Sequence, residues 1–252
     1  MDLSIIIINW NTYNLTYKCI DSIKISNYKY EIILVNNSSN DAIKIAKLKN
    51  IYNNLKIIQN KENIYFAKAN NRAYSEAKGR YILLLGSDTR ILNDAIDQLI
   101  KFLDTNSKYS IVSPQLINSD GSIQRSCRNF PTVINVFKSL FDINQKSRFF
   151  GEYKLSYWDH NDSMEVVQPQ ATCILIRKEI IDKYGLFDEK FPLYFNDVDF
   201  FRKMKKFNIK TYFLSTAKII HFYGQSTRKL RWKRKLLLYT GYINYIKKWG
   251  LN

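Results

Sequence analysis

Asp88 stands where a carboxylate has no packing purpose. It follows the strongest apolar run of the chain, residues 80–85 (RYILLL), after only Gly86 and Ser87. A hard oxygen ligand at the end of a buried strand suits Mg²⁺ or Mn²⁺ held against a diphosphate, with water and phosphate oxygens completing the shell. A second acidic cluster, Asp197-Val198-Asp199, comes after the aromatic run at 191–195 (FPLYF). Acids in a first helical turn also complement the helix dipole, and Asn196 with Asp199 resembles a capping arrangement. His221, one of two histidines, ends a late apolar segment. A lone histidine in such a place is more often structural than a ligand. Amide-rich ends follow other apolar runs: Asn9-Trp10-Asn11 and Asn36-Asn37-Ser38-Ser39. Such groups pair with a base and a ribose, although Asn, Ser and Asp are also ordinary turn formers.

These positions need a scaffold, and the hydrophobic pattern supplies one. Residues 4–9 (SIIIIN), 31–35 (EIILV), 55–58 and 80–85 are short continuous apolar runs, the pattern of strands buried on both faces of a parallel sheet. Helical spacing separates them: Leu15, Cys19, Ile20 and Ile23; Ile43, Ile45 and Leu48; the Ala-rich stretch 66–78; and a helix to about Asp104, with Asn93 as its cap. Alternation over the first 105 residues predicts βαβ units and a mostly parallel α/β sheet. Ligands then bind at the carboxyl ends of the strands, where the polar clusters lie. Asp120-Gly121 predicts a hairpin turn. Further on, the pattern predicts a strand over 166–177, a helix over 178–184 closed by Gly185, a helix from an Asn196 cap to Lys206, and late strands at 210–214 and 217–221. Residues 126–165 are weakly periodic and predict irregular structure. No G-x-G-x-x-G or G-x-x-x-x-G-K-[ST] loop is present, which argues against a Rossmann dehydrogenase or a P-loop ATPase.

The chain has 252 residues and a net charge of +17. Its length fits one large α/β domain, and its 46% apolar content builds a sizeable core. No Asp or Glu follows Asp199, whereas 14 Lys and Arg do. Such an end seeks an anionic partner: a phosphate-bearing substrate, nucleic acid or an acidic lipid surface. Within it, Trp232, Leu236, Tyr239, Ile243 and Ile246 draw one apolar helical stripe, with Gly241 as the weak point. Six charges crowd residues 228–235 (Arg228, Lys229, Arg231, Lys233, Arg234, Lys235). The stripe fits equally a helix packed on the main domain and one laid on a membrane. Cys19, Cys127 and Cys173 show neither metal spacing nor a disulfide framework, as in a reducing compartment. No run reaches the roughly 18–20 apolar residues of a spanning helix, and no secretory signal is evident.

Taken together, the segments SIIIINWN, EIILVNNSSND, NIYFAKANN, RYILLLGSDT, VVQPQATCILIRKE, YGLFDEKFPLYFNDVDFFRKMKKFNIKTYFL, AKIIHFYGQS and KRKLLLYTGYINYIKKWG resemble the inverting glycosyltransferases of family 2, especially their rhamnosyltransferase-like branch. The resemblance covers nearly the whole chain apart from residues 105–165. It implies a GT-A-type fold and direct displacement at an anomeric carbon. Asp88 then matches the acidic end of the metal and diphosphate motif, and Asp197 the catalytic base. His221 matches a residue that completes the metal site in relatives. Asn36 stands where an Asp usually meets the nucleobase, and Asn70 where an Arg often lies near the phosphates. Gly86-Ser87 replaces the commoner Asn-Pro or Asp-x pair, Asn196 a Glu, and Gln170 a Gly.

The expectation is therefore a hexosyl- or deoxyhexosyltransferase. It would take a dTDP- or UDP-linked sugar, rhamnose being one candidate, to a glycan or lipid-linked acceptor in surface polysaccharide synthesis. Asn9, Asn11, Asn36, Asn70, Ser87 and Asp88 are expected to bind the nucleotide sugar, Asp88 and His221 a divalent cation, and Asp197 to act as base. Residues 1–225 are expected to form the catalytic domain, its halves meeting near residue 105, and 226–252 a basic tail that holds the protein at the cytoplasmic face of an anionic membrane. No nucleic-acid partner is expected. The rival reading is an inactive relative, or a basic protein that binds nucleic acid through interleaved aromatics and cations.

Overall fold

The computed structural model describes residues 1–132, 153–155, 157–222, 230 and 232–250. The apolar runs form strands, and each run serves two cores at once. In β1 (Leu3–Asn9), Leu3, Ile5 and Ile7 face one cluster while Ile6 faces the other. In β4 (Tyr81–Gly86), Tyr81, Leu83 and Leu85 alternate in the same way with Ile82 and Leu84. This period-two alternation, apolar on both sides, explains why the runs read as continuous. α1 (Tyr13–Asp21) and α4 (Ala95–Thr105) cover the first face. α3 (Tyr65–Tyr74), α5 (Lys178–Tyr184) and α6 (Asn196–Lys206) cover the second.

β2 (Tyr30–Asn37) and β3 (Leu55–Asn60) extend the sheet on one side, with α2 (Ala42–Lys47) between them. The other strands are β5 (Thr89–Ile91), β6 (Ile111–Ile117), β7 (Ile123–Gln124), β9 (Met164–Val166), β11 (Cys173–Arg177) and β12 (Thr211–His221). The order is β3-β2-β1-β4-β11-β6-β12-β5. β1 runs parallel to both β2 and β4, and β11 runs antiparallel to its two neighbours. A separate pair, β8 (Cys127–Arg128) with β10 (Gln168–Pro169), is antiparallel. The strand order reverses at β1, so a crevice opens beyond the carboxyl ends of β1 and β4.

Several expected boundaries shift. Asn93 adopts φ +49 and lies one residue before Asp94, which holds the cap position of α4, so Asn93 does not cap that helix. Phe195, not Asn196, is the cap position of α6, in a left-handed conformation. Asn196 instead donates its Nδ2 to the Leu193 carbonyl at 2.7 Å. The strand expected over 166–177 divides into β9, β10 and β11. The two late strands are one, β12, with its register shifted between Leu214 and Lys218. The hairpin forms as expected: Gly121 takes φ +85 and the Asn118 amide reaches the Ser122 carbonyl at 2.8 Å.

The tail folds as α7 (Trp232–Trp249). Arg228, Lys229 and Arg231 of the basic cluster lie outside the described residues, as do residues 133–152. The expected stripe is not the packed face. Trp232, Leu236, Tyr239 and Ile243 are 68, 52, 46 and 48% exposed, whereas Gly241 and Tyr245 are buried. Gly241 is a close-approach position rather than a weak point. A Cβ there would stand 3.0 Å from the Tyr194 carbonyl oxygen and 3.2 Å from the Phe195 ring. Among the described residues no helix is long and apolar enough to cross a membrane, and all three cysteines are free and buried.

Candidate functional site

A cleft of about 520 Å³ opens where the topology places it, lined by Ile8 and Trp10 at the end of β1 and by residues 85–88 at the end of β4. Gln170, Ala171 and Thr172 form another part of its wall, and Asp197, His221 and Arg234 also line it. The acids separated by more than a hundred residues in sequence therefore share one cavity.

The amides behind this cleft form a closed network. Asn9 donates its Nδ2 to Asn36 Oδ1 and to Ser39 Oγ, each at 3.0 Å, while Ser39 Oγ donates to Asn36 Oδ1. Thr12 and Thr16 donate to Asn9 Oδ1, and Asn36 Nδ2 reaches Gln59 Oε1 at 2.7 Å. Asn9 and Asn36 are fully buried. Their polar groups are satisfied by the protein, which is what burial demands. Asn11, at φ +55, accepts the Asn40 amide and ties the β1 end to the β2 end. Asn70 is buried and donates to the Phe66 carbonyl within α3. Of the expected nucleotide-binding set, Ser87 and Asp88 line the cleft; Asn9, Asn11, Asn36 and Asn70 stand outside its lining. Asn37, Asn63 and Tyr65 line it in their place.

Asp88 and His221 meet across the β5–β12 pair, in which His221 lies opposite Thr89. Their atoms Oδ1 and Nε2 are 3.6 Å apart. His221 Nδ1 sits 2.5 Å from Gln124 Oε1, and the Gln124 amide is oriented by its own bond to Asn118 Oδ1. An acceptor at Nδ1 places the proton there and turns the Nε2 lone pair toward Asp88. Two lone-pair-bearing atoms facing each other in a largely buried corner suit a shared cation. Gly86 keeps this corner open, since a Cβ there would stand 3.1 Å from Asp88 Oδ1. Among the described residues no group of three or more His, Cys, Asp or Glu could hold a metal. Asp88 and His221 are the pair that could hold a divalent cation, with a diphosphate and water completing the shell.

Asp197 enters from the first turn of α6. Its Oδ1 accepts the Val198 amide at 2.9 Å, and the Ala171 amide also points to it. Burial pushes its carboxyl above the usual carboxylate range, against those amides and the nearby Arg128. Phe195, at φ +64, holds the turn in a conformation that costs a non-glycine residue on the order of 1–3 kcal/mol. Asp199 does not close a capping box: its carboxylate accepts Trp249 Nε1 at 2.7 Å and Lys248 Nζ at 3.0 Å. Sequence reasoning did not find Gln124, Tyr194 or Arg234. They lie on a short hairpin strand, on an aromatic run and on α7, with no local signal that points into the cleft.

The sequence model of glycosyl transferase family 2 matches residues 4–185. Over 212 residues the chain is 21% identical to the N-acetylglucosaminyl-diphospho-decaprenol L-rhamnosyltransferase of Mycobacterium tuberculosis, a span of 78% of this chain and 67% of that one. It is 26% identical to a galactofuranosyl glycosyltransferase of Leishmania donovani over 194 residues, 67% of this chain and 43% of the relative. Among solved structures, GalNAc-T7 with UDP, GalNAc and Mn²⁺ superposes with a TM-score of 0.67 at 16% identity, covering 89% of this chain and 44% of that one. S. aureus TarS 1-349 with UDP-GlcNAc superposes at 0.61 and 18% identity, covering 90% and 61%. This chain therefore spans under two thirds of both solved neighbours. The fold is that of GT-A glycosyltransferases, with a mostly parallel sheet flanked by helices. With the family match covering more than half of its length, the chain belongs to glycosyl transferase family 2.

Proposed function

We propose that the protein is an inverting glycosyltransferase that moves a sugar from a UDP- or dTDP-linked donor to a hydroxyl of a saccharide or lipid-linked acceptor. The observation that carries this reading is the pairing, in one cleft, of Asp197 with the Asp88–His221 corner. The acceptor O–H gives its proton to Asp197, its oxygen bonds to the anomeric carbon, and the bond from that carbon to the diphosphate oxygen breaks, the electron pair leaving with the diphosphate. One displacement from the opposite face inverts the configuration. Burial makes Asp197 a stronger base than a solvated Asp. Asp88 and His221 would hold Mg²⁺ or Mn²⁺, which when bound stabilises the charge of the departing diphosphate. Arg234, also on the cleft lining, adds a cation for the same charge. Ser87 and Asp88 touch the donor. Asn9, Asn11, Asn36 and Asn70 act behind them, holding the β1, β2 and α3 ends that shape its site.

The relative named for a diphospho-decaprenol-linked saccharide supports a lipid-linked acceptor and a place in surface polysaccharide synthesis. The exposed stripe and basic residues of α7 support docking on the cytoplasmic face of an anionic membrane. The deciding experiment incubates purified protein with UDP- and dTDP-sugars, with Mn²⁺ or chelator, and follows release of nucleoside diphosphate. Slow metal-stimulated release that Asp197→Asn removes supports the reading. Absence of release and of nucleotide binding under all conditions would favour a binding protein.

A further inference from the structure

The strained turn that carries Asp197 is held from outside its own helix. The Asp199 amide closes that turn by donating to the Phe195 carbonyl at 2.8 Å. The Asp199 carboxylate, itself wholly buried, takes Trp249 Nε1 at 2.7 Å and Lys248 Nζ at 2.9 Å. Lys248 also bridges to Asp188 at 2.8 Å. Asn244 Nδ2 reaches the Lys190 carbonyl at 2.9 Å, and Arg202 reaches the Tyr245 hydroxyl at 3.1 Å. The Phe195 ring packs against Tyr242 and Tyr245, with centroids at 6.0 and 5.6 Å. Gly241 lets the helix backbone meet the Tyr194 carbonyl. One face of α7 therefore grips residues 188–202, on both sides of Asp197, while its other face is exposed.

We infer that α7 is a working part of the active site, and that Asp199, Lys248 and Trp249 form a latch that positions the Asp197 carboxylate. A left-handed Phe195 persists only where its surroundings over-determine it, and α7 supplies those surroundings. Burying the Asp199 carboxylate needs full hydrogen bonding, which Lys248 and Trp249 provide from α7. Releasing either donor frees the turn to relax, and a shift of about 1 Å in a reacting group costs up to about 100-fold in rate. Apart from Arg234, which lies about four turns along α7 from Trp249, the donor nucleotide contacts other walls of the cleft, so its affinity should not follow. This inference rests on Asp197 being the base.

Trp249→Phe keeps the ring and removes one donor. Lys248→Met with Asp199→Leu removes the buried charge pair together, and Asp188, which also loses Lys248, keeps access to solvent. Both variants should lower kcat for donor turnover by about 10- to 100-fold while leaving the KM for donor and the affinity for UDP within about twofold of wild type. Lys248→Arg should restore most of the rate. Ile45→Val, a core change outside the cleft lining, serves as the control for lost stability and should keep the wild-type kcat. If Trp249→Phe and the double variant keep wild-type kcat well below their Tm, while Asp197→Asn is inactive, the latch is overturned and α7 is only a structural strut. If Asp197→Asn is itself fully active, the base assignment has failed instead.

Discussion

His221 Nε2 lies 3.6 Å from Asp88 Oδ1, too far for a hydrogen bond and close enough for both atoms to bind one cation. The arrangement is made by pairing β12 with β5 immediately after Asp88. UDP should bind wild type more tightly with Mn²⁺ than with chelator, and Asp88→Ala should abolish that difference without weakening binding in chelator. His221→Ala should reduce it by less, because Asp88 supplies the charge. Identical affinities in Mn²⁺ and in chelator for wild type would sink the metal role.

Gln124 fixes the tautomer of His221 from a strand of two residues. Partners that orient a ligating imidazole typically change metal affinity by about 10- to 100-fold. Gln124→Leu should accordingly weaken Mn²⁺ binding by about tenfold, read as the Mn²⁺ concentration needed to tighten UDP binding. Gln124→Glu, which keeps an acceptor at the same reach, should retain most of it. Equal losses in the two variants would mean that Gln124 packs rather than orients.

Asp197 has its carboxyl pushed up by burial, and the sign of that shift makes a double prediction. The folded state then holds the proton more tightly than the unfolded chain. Stability contributed by this group is present at low pH and is lost as pH rises from the unfolded carboxylate value through the raised folded one. Asp197→Asn should therefore raise Tm at neutral pH and lose that advantage at low pH. Catalysis needs the ionised form, so the acid limb of kcat should lie above the ordinary carboxylate range. A Tm for Asp197→Asn at or below wild type at pH 7 would contradict the desolvated base.

Much of this was legible in the chain. The runs at 4–9, 31–35, 55–58 and 80–85 could be read as strands because two-sided burial leaves no polar face to disguise them. Gly185 closes α5 at φ +73, as its position after 178–184 suggests. The starts of α4 and α6 differ by one residue from the pattern, where Asn93 and Phe195 adopt positive φ that no local signal announces. A Ser215-Thr216 interruption made β12 look like two strands, where the ladder only shifts register. The stripe on α7 was correctly drawn but does not pack. The buried face uses Gly241, Tyr245, Lys248 and Trp249, whose partners on residues 188–202 are carbonyls, carboxylates and rings. Periodicity registers hydrophobicity, and this interface mixes rings with hydrogen bonds and a buried ion pair.

Arg234 and its neighbours Lys233 and Lys235 look alike in sequence, yet only Arg234 lines the cleft. A cation that meets a diphosphate contributes to binding even without metal, through charge-assisted hydrogen bonds worth about 1.5–3 kcal/mol. Arg234→Ala should weaken UDP binding by at least about tenfold in chelator and in Mn²⁺ alike. The Lys233→Ala and Lys235→Ala variants should bind UDP as wild type does. Indistinguishable affinities for all three would remove Arg234 from the donor site.

The outer face of α7 carries Trp232, Leu236, Tyr239 and Ile243, each about half exposed or more, beside Lys233 and Lys235. The grip on residues 188–202 uses the opposite face, so a surface could engage the outer one without disturbing the site. An aromatic and aliphatic stripe with lysines beside it is suited to the headgroup boundary of an acidic bilayer. Each lysine near such a surface is worth roughly 1 kcal/mol, so two contribute roughly thirtyfold in affinity at low salt. Wild type should therefore co-sediment with vesicles of phosphatidylglycerol and phosphatidylcholine and be released by high salt. Lys233→Gln with Lys235→Gln should weaken binding and flatten its salt dependence. Trp232→Ser, Leu236→Ser, Tyr239→Ser and Ile243→Ser together should abolish it while leaving Tm near wild type, because these side chains bury little in the protein. If the serine variant sediments like wild type, or wild type does not bind at all, the outer face has no part in membrane attachment.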